Sequence, residues 1–214
     1  MLAGQLSSGD GSFTIVFLHE VGLDLDSLHP LASQLGIDEA LKLLVDLPGH
    51  GLSTGQLDPS HFDDDALALQ RWVARNAATP LVIVSAGAAT PFGCVLARTP
   101  DVIGLALLAP YGIEPSCDPP APIPVPTIAV LPNRTKSVVE TWHSLRGSVR
   151  NRWMSASMTA EVDDVVRFRG DLRSQIATHL QGFIREVYAL HRLRRTPSRI
   201  AGPIQAKGDT DPTP

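Results

Sequence analysis

The sequence is poor in cysteine, with only Cys94 and Cys117 in 214 residues. Neither lies in a CxxC pair or in a Cys/His metal spacing, so neither a disulfide scaffold nor a zinc site is supported. There is no excess of positive charge: 18 Lys and Arg stand against 22 Asp and Glu, for a formal net charge of -4. Such a chain generates no long-range field that would collect nucleic acid or an anionic membrane. No run approaches the roughly 18 apolar residues that a membrane span needs. The first eleven residues lack both the basic and the apolar region of a secretory signal. The expected location is therefore the cytoplasm. Internal repeats are also absent, and nothing in the sequence calls for a cofactor or a metal.

What remains is an ordinary globular composition, 43% apolar and 19% charged, enough for one core in a chain of single-domain size. Residues 1–12 read as an N-terminal extension and 13–195 as the domain. Residues 196–214, rich in Pro, Gly, Asp and Thr, read as a disordered tail. Short apolar runs alternate with amphipathic stretches, the pattern of a mostly parallel sheet with crossover helices. The predicted strands are Phe13–His19, Leu41–Leu47, Pro80–Ser85, Val102–Ala109, Pro126–Leu131 and Val162–Phe168. Ser60 to Asp63 reads as a helix cap, with Phe62, Ala66, Leu69 and Val73 at helical spacing behind it. Further helices are predicted after Gly87, over Lys136–Leu145 and over Arg173–Leu193. Seven prolines between 110 and 126 predict an extended surface connection, too short to be a lid domain.

Two segments carry a family resemblance. Thr14-Ile-Val-Phe-Leu-His-Glu-Val-Gly22 is an apolar strand ending in a histidine, and Val45-Asp-Leu-Pro-Gly-His-Gly-Leu-Ser53 is a strand ending in a glycine-rich turn. Together with the order of strands and helices, they resemble the α/β-hydrolase superfamily over roughly residues 13–190. The resemblance implies an α/β-hydrolase-like fold with a mostly parallel central sheet and a minimal lid or none. Within the second motif, Pro48, Gly49 and Gly51 form a tight turn, and His50 and Ser53 are expected to hold it by hydrogen bonds.

In that superfamily the nucleophile sits on a strand-to-helix turn written G-x-S-x-G. Here Pro80-Leu-Val-Ile-Val-Ser85 runs into Ala86-Gly87-Ala88-Ala89, which places Ser85 and Ala89 at the small flanks and Gly87 at the nucleophile. The acid's usual place is read at Pro132-Asn-Arg-Thr135 and the histidine's at Arg169-Gly-Asp-Leu172, leaving Thr135 and Leu172 at those positions. Glu114 and Asp118 are alternative acids. Gly87, Thr135 and Leu172 thus mark a degenerate triad.

Other candidates are weighed against bland roles. Ser85 is a candidate displaced nucleophile or a small flank, and Thr90 and Cys94 are read as capping or packing residues. His61, His143, His179 and His191 read as surface or packing residues. His19 ends a motif strand beside the expected pocket and is a candidate for direct chemistry. An oxyanion site made of backbone amides would survive the loss of a triad: one donor near Glu20 or Val21 and one at Ala88. Glu20 stands where the superfamily has glycine. Pointing inward it would repel an oxyanion; the expectation is that it points outward to solvent.

The cationic end of the chain, Arg185 to Arg199, reads as a solvated helix terminus favoured by the macrodipole, or as a contact for an anionic partner. Three functions stay open. One is a triad-less binder of a small acyl or carbonyl compound or of a protein. Another is a lyase, cyclase or isomerase using His19, Glu20 and Ser85. The third is a residual ester or thioester hydrolase using Ser85. Association with a second copy, as a homo-oligomer, is left open as well.

Overall fold

A computed structural model describes residues 1–7, 9–111, 121–132 and 136–195, the side chain of residue 137 excepted. Its element order is β1 (Gly4–Leu6), β2 (Phe13–Leu18), α1 (His29–Gln34), β3 (Ala40–Val45), α2 (Phe62–Asn76), β4 (Leu81–Ala86), α3 (Thr90–Leu96) and β5 (Val102–Leu108). There follow β6 (Thr127–Pro132), α4 (Lys136–Ser148), β7 (Trp153–Met158), α5 (Val162–Val166) and α6 (Leu172–Arg195). One seven-stranded sheet runs in the order β1-β3-β2-β4-β5-β6-β7. All neighbours are parallel except β1, which pairs antiparallel with β3.

The central strands are continuous apolar runs because both faces are covered. On β2, Phe13, Ile15 and Phe17 face one core with α1, α5 and α6 residues such as Leu31, Val165, Ile176 and Phe183. Val16 and Leu18 face the other, with Ala66, Leu69 and Val73 of α2 and Phe92 of α3. The apolar spacing predicted for α2 is thus its buried stripe. The cap expected at Ser60 does not form on α2, which starts without a side-chain cap; the Asp58 side chain instead accepts from Ser60 N at the 3-10 turn before it. On the opposite face α6 crosses β5 closely at Gly104, where a Cβ would come within 3.0 Å of Val187 and 3.2 Å of Phe183.

Three sequence expectations differ from this architecture. Residues 4–6, inside the segment read as an extension, add the antiparallel edge strand. Val162–Phe168 is not a strand but the short helix α5 and its exit: Val162, Val165 and Val166 turn to the core while Asp163 and Asp164 start the helix. The last strand is instead β7, whose Trp153-Met-Ser-Ala-Ser-Met158 sequence is half-buried at the sheet edge. The proline-rich connection lies largely outside the described residues, as do Cys117 and the tail 196–214. No helix among the described residues is long and apolar enough to cross a membrane.

Candidate functional site at the strand ends

Parallel register brings the site together. Leu18 of β2 pairs with Val45 of β3 on one side and Ser85 of β4 on the other, and Ala86 pairs with Leu108 of β5. The segments leaving these strands, His19-Glu20-Val21, Asp46 to Ser53, Gly87-Ala88 and Tyr111, therefore emerge at one sheet edge. Such an edge, at the carboxyl ends of parallel strands, is where open α/β sheets place their ligands.

Two histidines and one aspartate brace the edge. Leu47 N donates to His19 Nε2 at 3.0 Å, so that nitrogen carries no proton. Nδ1 must then be the protonated one, and it donates to Glu20 O at 2.8 Å. His19 is fully buried, and burial pulls its pKa below the ordinary histidine value. Both ring nitrogens are thus engaged in tying the β2 exit to the β3 exit. His50 repeats the device, accepting from Gly22 N at 2.9 Å and donating through Nδ1 to Pro48 O at 2.9 Å. Asp46, 1% exposed, accepts from Leu25 N at 2.8 Å and from Leu52 N at 2.9 Å. Ser53 Oγ donates to Asp46 O at 2.7 Å and accepts from Ala3 N at 2.8 Å. His50 and Ser53 therefore hold the glycine-rich turn, as its sequence suggested.

After β4 the backbone turns sharply at Gly87, whose φ of +54° is a left-handed value that side chains rarely adopt. Thr90 Oγ1 donates to Gly87 O at 2.6 Å and secures the turn. The space a side chain at 87 would enter is filled: an added Cβ would overlap the Glu20 carboxylate and come within 3.0 Å of Tyr111. Glu20 therefore does not point to solvent as expected. It is 7% exposed and turns inward over the elbow.

Its carboxylate takes the elbow amides for itself. Ala88 N donates to Oε2 at 3.1 Å and to Oε1 at 3.3 Å, and the Tyr111 hydroxyl and the Val21 amide lie where they favour its charged form. Ala88 is one of the two amides that the sequence proposed as oxyanion donors; the other was placed near Glu20 or Val21. Burial raises the Glu20 pKa, opposed by these donors and by the more distant Arg167 cation. Burial and the neighbouring carboxylate likewise push the Tyr111 phenol above its ordinary value. Tyr111 closes the site from the β5 side, its own N–H reaching Gly87 O at 3.4 Å. Nothing in the sequence marked Tyr111 beyond its place just after a strand.

Ser85 lies apart from this cluster. It is fully buried in β4 against α3, where a Cβ on Gly93 would come within 2.7 Å of Ser85 Cβ. Its hydroxyl has no hydrogen-bond partner among the described residues. His19, Glu20 and Ser85 thus do not converge on one space. Val21 turns its side chain outward, 37% exposed. Cys94 is buried on α3, and burial pushes its thiol up to about 12, which leaves it protonated and unreactive.

Thr135, Glu114 and Asp118 lie outside the described residues. Leu172 was counted from a strand that is in fact α5; it opens α6 and packs against the core. The segment that leaves the true last strand, β7, begins Thr159-Ala-Glu-Val-Asp163, and no histidine follows Met158 until His179. Among the described residues no group of three or more His, Cys, Asp or Glu side chains is placed to hold a metal ion.

No protein-family model matches the chain, and no curated protein matches it in sequence. Solved structures do match in three dimensions. A predicted CIB-like hydrolase from Thermoplasma acidophilum superposes with a TM-score of 0.71 at 14% identity, over 86% of this chain and 92% of that one. A lipase-esterase related protein from Clostridium acetobutylicum gives 0.70 at 15% identity, over 86% and 99%. The mouse α/β hydrolase domain-containing protein 10 gives 0.68 at 13% identity, over 87% and 94%. With these neighbours and its seven-stranded, mostly parallel sheet, the chain has the α/β-hydrolase fold.

Proposed function

We propose that this chain is a non-hydrolytic protein built on the α/β-hydrolase fold, a pseudoenzyme that binds a small molecule or serves a protein partner. The observation that carries the reading is the elbow: Gly87 offers no nucleophile, and the Glu20 carboxylate fills the space one would need. Hydrolysis by a serine elbow requires an oxygen nucleophile, a base to take its proton and amides free to receive the oxyanion. The elbow residue, Gly87, supplies no oxygen, His19 has both ring nitrogens committed to the backbone, and the Ala88 amide faces a carboxylate. A small acyl or carbonyl compound meets those amides only once Glu20 swings away, whereas a protein partner requires no such movement.

The test is incubation of the full chain with a fluorophosphonate probe and with short-chain ester and thioester substrates. The expected result is no covalent adduct and no turnover above buffer. Stoichiometric labelling, mapped to Ser85 or any other serine, overturns the reading.

A second reading rests on one observation, the pairing of a buried, pKa-raised Glu20 with the Tyr111 hydroxyl. Two such groups suit proton transfer at carbon next to a carbonyl, as in an isomerase or lyase. It predicts Glu20-dependent exchange of deuterium into the α-position of a small ketone or thioester. Exchange no faster than in the Glu20→Gln variant removes it.

A further inference from the structure

We infer that Glu20 is a built-in ligand of the elbow amides, and that this edge is a recognition site for a small carboxylate which the chain keeps occupied with its own side chain. The inference rests on the non-hydrolytic reading of the elbow and names what the site recognises.

Three observations converge on it. The Glu20 carboxylate accepts from the amide after the elbow, Ala88 N, through both oxygens, and the amide of its own neighbour, Val21, favours its charge. Two backbone amides from separate strand exits converging on one group are an anion cradle, since their partial positive charges add at one point and cost no side-chain ordering. The cradle is also shaped for this occupant. Gly87, the residue between the strand and Ala88, has no Cβ, and any Cβ there would overlap the carboxylate. Finally, Tyr111, from a third strand exit, lies against the same space, and its hydroxyl favours the carboxylate's charge.

The charged groups that act on Glu20 and Tyr111 come from one further element, α5 and its end. The Arg167 guanidinium at the end of α5 favours the carboxylate through space, while it pairs with Asp163 at 2.6 Å. Asp163 acts in the opposite sense on Tyr111. Removing Glu20 back to its Cβ leaves Ala88 N–H without its acceptor, and Val21 N–H and the Tyr111 hydroxyl without the charge they favour, beside the volume of a lost carboxyl group. The molecule that restores those bonds is a free carboxylate of two or three carbons, such as acetate. A neutral ester offers one carbonyl oxygen where the cradle presents donors for two.

The experiment follows the Ala88 amide by ¹⁵N–¹H correlation in the native chain and in Glu20→Ala. In the native chain the Ala88 resonance shifts as acid protonates Glu20, and acetate at neutral pH leaves it unmoved. In the variant the pH response is lost, and acetate moves the Ala88 and Val21 amides saturably back toward their native positions; acetamide, of equal size and no charge, does not. Should Glu20→Ala fail to fold, Glu20→Gln carries the test, since the Ala88 titration must vanish there too. An Ala88 amide blind to acid in the native chain, or unmoved by acetate in a folded Glu20→Ala, overturns the inference. Equal shifts with acetamide overturn its carboxylate selectivity. Failure here leaves the absence of hydrolysis standing, and fluorophosphonate labelling would leave this titration intact, so the two readings fall separately.

Discussion

Glu20 and Gly87 share one volume: the carboxylate of the first lies across the place where a side chain on the second would begin. The two residues come from the exits of adjacent parallel strands, β2 and β4, whose register sets Leu18 opposite Ser85. Each accommodates the other, since a glycine at 87 gives the carboxylate its room and the carboxylate takes up the Ala88 amide.

This mutual exclusion makes the pair energetically coupled. Gly87→Ser is expected to cost about 2–4 kcal/mol, from a side chain held at positive φ and from overlap with Glu20. Glu20→Ala removes the overlap but not the backbone strain. In a double-mutant cycle followed by urea unfolding, the two changes together should therefore cost about 1–3 kcal/mol less than their sum. Strict additivity would mean that the two side chains do not compete for space.

Glu20 also gives stability a pH dependence of known sign. Its folded pKa lies above the ordinary glutamate value because burial opposes the charge. The folded state thus holds the proton more tightly than the unfolded chain, a contribution present in full below about pH 4.5 and lost as pH rises through the folded pKa. Glu20→Gln abolishes the titration. The stability of the variant relative to the native chain should therefore increase on going from pH 4 to pH 7.5, measured by urea unfolding at both. An unchanged difference would show that Glu20 titrates as it does in the unfolded chain.

His19 acts in the opposite direction. Burial depresses its folded pKa, and its Nε2 must stay unprotonated to accept from Leu47 N. Its contribution is present above the unfolded histidine value of about 6.5 and is lost as pH falls from there toward the depressed folded pKa. His19→Asn, which cannot titrate, should be less stable than the native chain at pH 7.5, by about 1–3 kcal/mol for lost buried hydrogen bonds. The gap should narrow by pH 5.5. A gap that is constant with pH would place the proton uptake elsewhere.

Much of this architecture is written in the sequence, and the exceptions have physical causes. The strands β2 to β6 are legible because each is largely buried on both faces and so is mostly apolar, with single polar residues such as Lys42 of β3 and Ser85 of β4. The edges are not. Gly4–Leu6 is three exposed residues that pair with β3 mainly through backbone bonds, which no side-chain pattern reports. Trp153–Met158 alternates serine with larger residues at a half-covered edge. Meanwhile Val162–Phe168 imitates a buried strand because Val165, Val166 and Phe168 all reach the core from one short helix. That substitution of helix for strand is what moved the expected histidine position to Leu172. The glycine at the turn after β4, Gly87, was readable, whereas the inward turn of Glu20 was not, because orientation depends on what Gly87 leaves empty. A signal was present all the same: a carboxylate where the superfamily has glycine and a glycine where it has serine are reciprocal departures, and only together do they suggest one group replacing another.

Ser85 supplies a prediction that separates packing from catalysis. Its hydroxyl is buried without a partner, and a buried unsatisfied hydroxyl costs about 1–3 kcal/mol relative to an apolar group of similar shape. Ser85→Ala should then leave stability unchanged or raise it by up to about 1 kcal/mol, with no loss of any activity the chain possesses. Gly93→Ala, by contrast, drives a methyl group to within 2.7 Å of Ser85 Cβ across the β4–α3 contact. It should destabilise by about 1–3 kcal/mol. Destabilisation by Ser85→Ala would reveal a hydrogen bond that its position in the sheet does not provide.

Asp46 carries the last and largest expected effect. It is buried at the exit of β3, and its two oxygens serve different segments: Oδ1 the Leu25 amide beyond β2, Oδ2 the Leu52 amide in the glycine-rich turn. The same residue's carbonyl receives the Ser53 hydroxyl. Gly51 leaves room for this carboxylate as Gly87 does for Glu20, since a Cβ on Gly51 would overlap it. Asp46→Ala strands two amides without an acceptor and opens a void, so a loss of about 2–5 kcal/mol is expected. Asp46→Asn keeps one acceptor and turns an NH2 toward the other donor, and should recover only part of that loss. Hydrogen exchange distinguishes a local from a global cause. If Asp46 braces the edge, exchange in Asp46→Asn should accelerate at Leu25, Leu52 and the Ala88 elbow while the β2 and β4 interiors stay protected. Uniform acceleration through both strands would show that Asp46 supports the whole core and not the edge that carries Glu20.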